Sequence, residues 1–153
     1  MAIALTFDNK SIKQVSSHKH LGLTFSADGK WACHINNIVN VTAKMINSLR
    51  KLKYLLNRNT LNMIYKVYIR PHFEYACEVW DGCTLEQADR LEKQQLEAAR
   101  IVTGLPSYVS RSKLYYETGW EPLEERRRKR KLCLFYKIDR KSTRLNSSHD
   151  QIS

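Results

Sequence analysis

The strongest hydrophobic pattern of the chain lies at its centre, in residues 61–80. Apolar side chains recur there at steps of three and four, which places them on one face of an amphipathic α-helix. The residues of this face are Leu61, Ile64, Tyr65, Tyr68, Ile69, Phe73 and Ala76, and the opposite face contains Asn62, Lys66, Arg70 and Glu74. Thr60 or Asn59 is expected to cap the start of the helix. Pro71 lacks a backbone donor and clashes with the preceding turn, so the helix should kink near Ile69 or break there.

A second helical stripe precedes the central helix. Its members step by four and three alternately and are Trp31, Ile35, Ile38, Thr42, Met45, Leu49 and Leu52, with Leu55 or Leu56 as an extension. Cations gather toward the C-terminal end of this helix, at Lys44, Arg50, Lys51 and Lys53. Because such cations also complement the helix dipole, part of the clustering has a structural explanation.

Local capping signals predict three more helices. Thr84 and Gln87 have the spacing of a capping box at the start of the first. Ser110 or Ser112 opens a short helix, and Pro122 suits the first turn of the last one. The apolar residues of that last helix are Leu123, Leu134, Phe135 and Ile138.

The N-terminal part combines β-branched residues with turn signals, which predicts extended structure. Residues 3–7 and 12–15 predict a β-hairpin, and residues 20–25 predict a third extended segment that ends at the turn signal Asp28 and Gly29. The predicted fold is therefore mainly α, an irregular helical bundle preceded by a small antiparallel β-hairpin element and followed by a disordered tail. The three parts comprise residues 1–29, 30–138 and 139–153.

The segment from Asp139 onward is almost without apolar residues, which predicts disorder. It also resembles a peptide that recurs at the ends of unrelated predicted proteins and is translated from adapter or vector sequence. We therefore exclude it from the fold as an artefact.

The overall charge points to a polyanionic partner. The 153 residues suit one domain and have a formal net charge of +11, with a sequence pI of about 9.6. Nucleic acid is favoured over an anionic membrane surface, because no stretch approaches the roughly 20 apolar residues that span a bilayer. Residues 1–10 do not have the pattern of a signal peptide, so an intracellular protein is expected.

Two further features each have two interpretations. His72, Cys77 and Cys83 are conceivable zinc ligands, but their spacing is poor for a metal site and favours reduced thiols packed as small hydrophobes. Residues 126–131 are six consecutive cations, which suit either direct phosphate contact or a solvated helix with a nuclear-import-like run.

The central segment also resembles a known family. Its pattern Tyr-x-x-x-Ile-Arg-Pro-x-x-Glu-Tyr-x-x-x-Val-Trp over residues 65–80 is similar to the region that follows the catalytic palm in reverse transcriptases of non-LTR retrotransposons, the jockey-like and related LINE elements. The likeness extends upstream through residues 19–25 and downstream through residues 99–106 to Arg126 and Arg127. The likeness covers nearly everything from Asp8 to Ile138, and it is supported by the order and spacing of all its motifs together.

The resemblance implies a polymerase fragment without its catalytic centre. Such polymerases hold two Mg²⁺ ions on palm aspartates, normally including a Tyr/Phe-x-Asp-Asp motif. The aspartates here are Asp8, Asp28, Asp81, Asp89, Asp139 and Asp150, of which no two are adjacent. No nucleophile motif or glycine-rich phosphate loop replaces them. The chain is expected to be inactive alone and to hold no cofactor, with the palm and fingers supplied elsewhere in the same polypeptide.

What remains by resemblance is a grip on the RNA/DNA template–primer duplex. Residues 19–22 correspond to the primer-grip hairpin, where Gly22 permits close approach of the primer, and the helices that follow correspond to the thumb. The expected nucleic-acid-binding residues are Lys19, His20, Gly22, Lys44, Arg50, Lys51, Lys53, Lys66, Arg70, Arg126 and Arg127. If about six phosphates are neutralised, affinity should fall by roughly three decades between 50 and 200 mM salt.

Aromatic residues offer base stacking as a further possibility, although their helical spacing favours core packing. These residues are Tyr65, Tyr68, Tyr75, Trp80 and Trp120. The function expected from the sequence is non-sequence-specific template–primer binding, in an intracellular and nuclear setting. Two alternatives are a stand-alone basic helical nucleic-acid-binding module and a decayed remnant without activity.

Overall fold

The computed structural model describes residues 6–8, 10, 11 and 13–149. The strands are β1 (Thr6–Phe7), β2 (Lys10–Ser11), β3 (Ser17–His20) and β4 (Leu23–Ser26). The helices are α1 (Ala32–Leu52), α2 (Arg58–Ile64), α3 (Arg70–Glu74), α4 (Cys77–Trp80), α5 (Leu85–Thr103), α6 (Arg111–Thr118) and α7 (Leu123–His149), with a π-helical turn at Tyr65–Ile69 between α2 and α3. The prediction of a mainly α fold preceded by a small antiparallel element is confirmed.

The extended region forms two separate hairpins. β1 pairs with β2 in antiparallel fashion, but the prediction of the second strand at residues 12–15 is wrong for residues 13–15, which form no strand, because the chain already reverses after Asp8, whose φ is 51°. Residues 3–5 and 12 of the predicted hairpin lie outside the described residues. The prediction of one extended segment over residues 20–25 is wrong, because β3 ends at His20 and pairs back with β4, with His20 opposite Leu23.

A two-residue turn produces this reversal. Leu21 and Gly22 both have positive φ, at 46° and 81°. Positive φ at both central residues is the signature of a type I′ turn, whose twist matches that of the flanking strands. Leucine is an unusual residue for this conformation, so residue 21 has no local turn signal, although the resemblance implied a hairpin over residues 19–22.

The core forms where α1 packs against α5, with the helices on either side closing over it. The predicted apolar face of α1 is confirmed at Ile35, Ile38, Thr42 and Leu49, which are buried, whereas Leu55 is 79% exposed. The capping box of α5 is also confirmed. Its reciprocal hydrogen bonds run from Gln87 N to Thr84 Oγ1 and from Thr84 N to Gln87 Oε1. From α5, the buried residues Leu91, Gln95, Leu96, Ala98, Ala99, Ile101 and Val102 face the core.

Pro71 was predicted to disturb the central helix, and just before it the backbone changes from α-helical to π-helical hydrogen bonding. The π-helical turn ends at Ile69, and the N–H of Arg70 donates to Tyr65 O, one residue further back than in an α-helix. Pro71 then occupies the first turn of α3, where its missing donor is not needed. The predicted disturbance near Ile69 is confirmed and takes the form of this wider turn.

The wider turn also changes which side chains are buried. Residues four apart remain on one face, so that Leu61, Tyr65, Ile69, Phe73 and Cys77 are all buried. Tyr68 was predicted to lie on the same face, and this is wrong because its side chain is 63% exposed. In an α-helix with 3.6 residues per turn, residues 61 and 68 lie on the same face. The π-helical turn contains an extra residue, which rotates residue 68 away from that face.

Two boundaries of the central helix differ from the prediction. The cap is Asn57, whose Oδ1 accepts from Thr60 N at 2.9 Å, so the assignment of Thr60 or Asn59 as cap is wrong. The helix begins at Arg58 because Asn57 has an extended backbone and its side chain satisfies a donor of the first turn. At the other end the chain breaks at Ala76, whose φ of 48° separates α3 from α4.

The last helix leaves the body of the protein. Leu123 is buried at its start, and from residue 128 to residue 141 every described side chain is exposed. Leu134, Phe135 and Ile138 are 43%, 61% and 56% exposed. The backbone stays helical to His149, beyond the predicted end near Ile138, since no glycine or proline interrupts this stretch; residues 150–153 lie outside the described residues.

Candidate nucleic-acid interface

A groove lies between the β3–β4 hairpin, α1 and α3. Its volume is about 590 Å³, and it is lined by Lys19, Gly22, Thr24, His34, Asn37, Ile38, Asn40, Val41, Lys44 and His72. Lys19 comes from the hairpin and Lys44 from α1, so the groove brings together two of the cations that the sequence indicated. Among these lining residues there is no carboxylate. The groove is therefore a polar channel with positive charge contributed by two different elements.

Two sets of contacts hold the hairpin against the helices. Thr24 N donates to the buried His34 Nδ1 at 3.4 Å, and Asn37 Nδ2 donates to Thr24 Oγ1 at 3.2 Å. On the other side, the Tyr75 hydroxyl donates to Leu21 O at 2.8 Å. These contacts fix the position of β3, and with it the position of Lys19 beside α1.

Gly22 has a structural role at this junction. A Cβ atom at Gly22 would lie 3.2 Å from Cε1 of Tyr75, and the residue has a φ of +81°. Both the turn and the Tyr75 ring therefore favour glycine. The resemblance implied that Gly22 permits close approach of a primer strand. The structure explains the glycine through contacts within the chain itself.

The remaining predicted cations divide into two groups. Within the part of the chain whose side chains are described, Lys19, Lys44, Lys51, Lys53 and Lys66 make no ion pair, and His20 is exposed on β3. The arginines are engaged: Arg50 with Glu97 at 2.7 Å, Arg70 with Glu74 at 3.4 Å, Arg126 with Glu74 at 2.5 Å and Arg127 with Asp81 at 3.6 Å. Arg127 is buried and lies 5.7 Å from the centre of the Trp80 ring, so it is not available at the surface.

The basic run of α7 forms an ion-pair ladder with α3, α4 and the residues that flank them. In addition to Arg126 and Arg127, Arg130 contacts Glu74 and Glu78, Lys131 contacts Asp81, and Lys129 contacts Glu121. The side chains of Lys129, Arg130 and Lys131 nevertheless remain 60%, 45% and 46% exposed, so phosphate contact by them stays a prediction. Glu74, Glu78 and Asp81 recur at steps of four and three, a spacing from which partners for these cations could have been inferred, but the sequence analysis predicted no such ladder.

Most of the aromatic candidates belong to the core. Tyr65, Trp80 and Trp120 are buried, and the rings of Tyr65 and Trp120 stack at 3.7 Å. The Tyr65 hydroxyl donates to Gln95 Oε1, and burial raises the pKa of Tyr65, so it remains a neutral donor. Core packing is confirmed for these three, whereas Tyr68 and Tyr75 are more than half exposed.

Cys77 and Cys83 have the character of packed thiols, whereas Cys33 and Cys133 are exposed. Burial raises the pKa of the Cys77 thiol to about 11 and also raises the pKa of Cys83, so both remain protonated at neutral pH. All four cysteines are unpaired. Within the described residues, no group of three or more His, Cys, Asp or Glu side chains is arranged to hold a metal ion. No described helix is long and apolar enough to span a bilayer.

Acidification is expected to weaken the docking of the hairpin on α1. The Nδ1 atom of His34 accepts from Thr24 only while the imidazole is neutral, and burial lowers the pKa of His34 below 6.5. The stability that neutral His34 contributes is therefore fully present above about pH 6.5 and is lost as the pH falls through the lowered folded-state value. Urea unfolding of the full chain between about pH 7.5 and pH 5 measures this loss.

Two variants isolate the contribution of this imidazole. His34→Asn places an amide oxygen near the position of Nδ1, and its acceptor does not depend on pH, so the decline should be smaller. His20→Gln removes an exposed imidazole from β3 and should keep the wild-type decline. An identical decline in wild type and His34→Asn would contradict this account.

One known protein resembles this chain over most of its length. The sequence is 26% identical, over 120 residues and 74% of the chain, to the probable RNA-directed DNA polymerase from transposon BS of Drosophila melanogaster. The chain spans only 13% of the length of that protein. No family model matches the sequence, and no solved structure matches it. The similarity supports a reverse-transcriptase relationship for this chain.

Proposed function

We propose that this chain is the primer-grip, thumb and connecting region of a non-LTR retrotransposon reverse transcriptase. Its role is to bind the template–primer duplex without regard to sequence, in the nucleus. The similarity to a transposon polymerase supports the class of protein. The observation that supports the role is the groove in which Lys19 and Lys44 face a common space with no carboxylate in its lining.

Binding to a duplex in this way requires cations that are not already neutralised. Phosphates are held by positive charge, and contacts to them fix the position of a duplex without reading its sequence. The unpaired lysines meet this requirement: Lys19 and Lys44 in the groove, Lys51 and Lys53 further along α1 and its end, and Lys66 on the π-helical turn. Arg50, Arg70, Arg126 and Arg127 instead hold helices together through their ion pairs.

Polymerisation belongs to other parts of the polypeptide in this proposal. The aspartates of the chain include no adjacent pair, and in this proposal the two-metal centre therefore lies elsewhere. The palm and fingers would supply the catalytic aspartates and Mg²⁺. This chain would hold the duplex as it leaves them.

Removing both groove lysines is expected to weaken duplex binding. Lys19→Ala combined with Lys44→Ala should lower the affinity for an RNA/DNA hybrid duplex by about tenfold at roughly 100 mM salt, because two phosphate contacts are lost. The slope of log affinity against log salt should become shallower by about two. Fluorescence anisotropy across a salt series with duplexes of several sequences measures both quantities.

The control variant removes the same charge elsewhere. Lys113→Ala combined with Lys137→Ala changes two exposed lysines on α6 and α7 and leaves the groove intact. This control should retain wild-type affinity within about twofold, since it alters only the distant field. Equal losses in the two double variants would mean that binding follows net charge, and the groove would lose its assigned role.

A further inference from the structure

Two asparagines and a threonine lie in the groove between its two lysines. Thr24 is directly opposite Lys19 in the β3–β4 register, so their side chains lie side by side on one face of the hairpin. Asn37 Nδ2 donates to Thr24 Oγ1 at 3.2 Å, which joins this end of the groove to α1. Asn40 and Lys44 follow on the same side of that helix, at steps of three and four. The order along the groove is therefore Lys19, Thr24, Asn37, Asn40 and Lys44.

The two amides are exposed and still have unused hydrogen-bonding atoms. Asn37 uses its amino group for Thr24, while its Oδ1 accepts from no group in the part of the chain that the structure describes. The side chain of Asn40 lines the groove and has no hydrogen-bond partner among the described residues. An amide oxygen is an acceptor and an amide N–H is a donor. A ligand in the groove therefore meets accessible acceptors as well as cations.

The lysines and the amide oxygens require different groups of the ligand. The lysines are the source of fixed positive charge in the lining, which contains no carboxylate. The remaining titratable side chains there are His34, whose Nδ1 already accepts from Thr24 N, and His72, which is exposed on α3. Phosphate oxygens are acceptors, so they suit the lysines and cannot satisfy an amide oxygen. The ligand needs a hydrogen-bond donor next to its phosphates.

The ribose 2′-hydroxyl is such a donor. Within a DNA strand the deoxyribose has no hydroxyl, so the DNA backbone offers acceptors and no donor. Each ribose of an RNA backbone has a 2′-hydroxyl, which both donates and accepts. Since sugars alternate with phosphates along a strand, side chains placed between two phosphate-binding lysines face sugars. The amides of the groove therefore match the backbone of RNA.

We propose that Asn37 and Asn40 contact ribose 2′-hydroxyls, so that the groove selects an RNA strand over a DNA strand. This inference rests on the proposed function and adds to it which strand of the hybrid lies in the groove, namely the RNA template. Asparagine can also bind adenine through the major groove, but that groove is too deep and narrow for side chains in an A-form helix. Contacts to sugars do not read sequence, which agrees with binding that is independent of sequence.

The test compares two hybrid duplexes that differ only at the 2′ position. One contains an RNA strand and the other the same strand with 2′-fluoro sugars, each paired with the same DNA strand. Fluorine keeps the sugar conformation of RNA but has no proton to donate. In fluorescence anisotropy the full chain should bind the RNA hybrid about fivefold more tightly than the 2′-fluoro hybrid, because hydrogen bonds are lost. Asn40→Ala should reduce this ratio to about twofold, since Asn37 remains, and should leave the affinity for the 2′-fluoro hybrid within about twofold of wild type.

Asn59→Ala is the matched control, because Asn59 is an exposed asparagine on α2 outside the lining of the groove. It should keep the fivefold ratio. The Lys19→Ala and Lys44→Ala double variant should weaken binding of both hybrids equally and also keep the ratio, since both contain the same phosphates. Equal affinities of the wild-type chain for the two hybrids, or an unchanged ratio in Asn40→Ala, would overturn the ribose contact and leave duplex binding in place. Absence of binding to either hybrid would contradict the proposed function, and this inference with it.

Discussion

Replacing Trp80 with alanine is expected to lower the free energy of unfolding by about 4 kcal/mol. Trp80 is fully buried, and its Nε1 donates to Tyr75 O at 3.0 Å. Its ring lies between His34 and Arg127, with ring centres 6.0 Å apart on one side and the guanidinium 5.7 Å from the ring centre on the other. Truncation would leave a large cavity and would deprive a buried cation of its aromatic neighbour.

Urea unfolding followed by far-UV circular dichroism measures this effect. Val79→Ala is the control, because its side chain precedes Trp80 and is 52% exposed, and the change should stay within about 0.5 kcal/mol. A loss below about 1 kcal/mol in Trp80→Ala would mean that α4 does not pack as described.

Replacing Glu74 with alanine is expected to cost about 2–3 kcal/mol, even though it removes a single carboxylate. Its oxygens lie 2.5 Å from Arg126 Nε, 3.4 Å from Arg70 Nε and 3.5 Å from Arg130 Nη1. The Glu74 side chain is only 13% exposed, and those of Arg70 and Arg126 are 29% and 27% exposed. Since removing one partner leaves the others partly desolvated and unmatched, the loss exceeds that of a surface pair.

Glu97→Ala is the appropriate comparison for this prediction. Glu97 also contacts two arginines, Arg50 and Arg100, but its side chain is 40% exposed, so its loss should cost no more than about 1 kcal/mol. A double-mutant cycle between Glu74→Ala and Arg126→Ala, measured by urea unfolding, gives the coupling between the closest pair. Equal costs for Glu74→Ala and Glu97→Ala would contradict a special role for Glu74.

Structural features that depend only on residues close together in the sequence were predictable. The apolar stripe of α1 follows from the helical period, and the α5 capping box follows from Thr84 and Gln87 alone. A disturbance near Ile69 was predictable from Pro71, but its form as a π-helical turn was not, since proline removes a backbone donor without fixing how the helix is rewound. The break at Ala76 was not predictable either, because that position does not contain the glycine that usually marks a positive φ.

In the candidate site, too, the residue types were predictable from the sequence and their arrangement in space was not. Lys19 and Lys44 were identified as cations from the sequence, but their common groove depends on the hydrogen bonds of His34 and Tyr75 to the hairpin. Those contacts join residues distant in sequence, and the turn at Leu21 that makes them possible had no local signal, although the resemblance implied a hairpin there. The engagement of Arg126 and Arg127 likewise required the arrangement of α7 beside α3 and α4.

The ion-pair ladder also affects how a polyanion would approach. Five of the six cations in residues 126–131 face carboxylates, so little of the net charge of +11 is expressed as field around that part of α7. Exposed lysines outside the ladder lie at the hairpin and on α1, at Lys19, Lys44 and Lys51, and further along α7, at Lys137 and Lys141. An uneven distribution of charge orients an incoming polyanion before contact and raises the association rate of correctly oriented encounters, an effect that weakens as ionic strength rises. The acidic residues of α3 and α4 would therefore contribute to the kinetics of capture without contacting the captured strand.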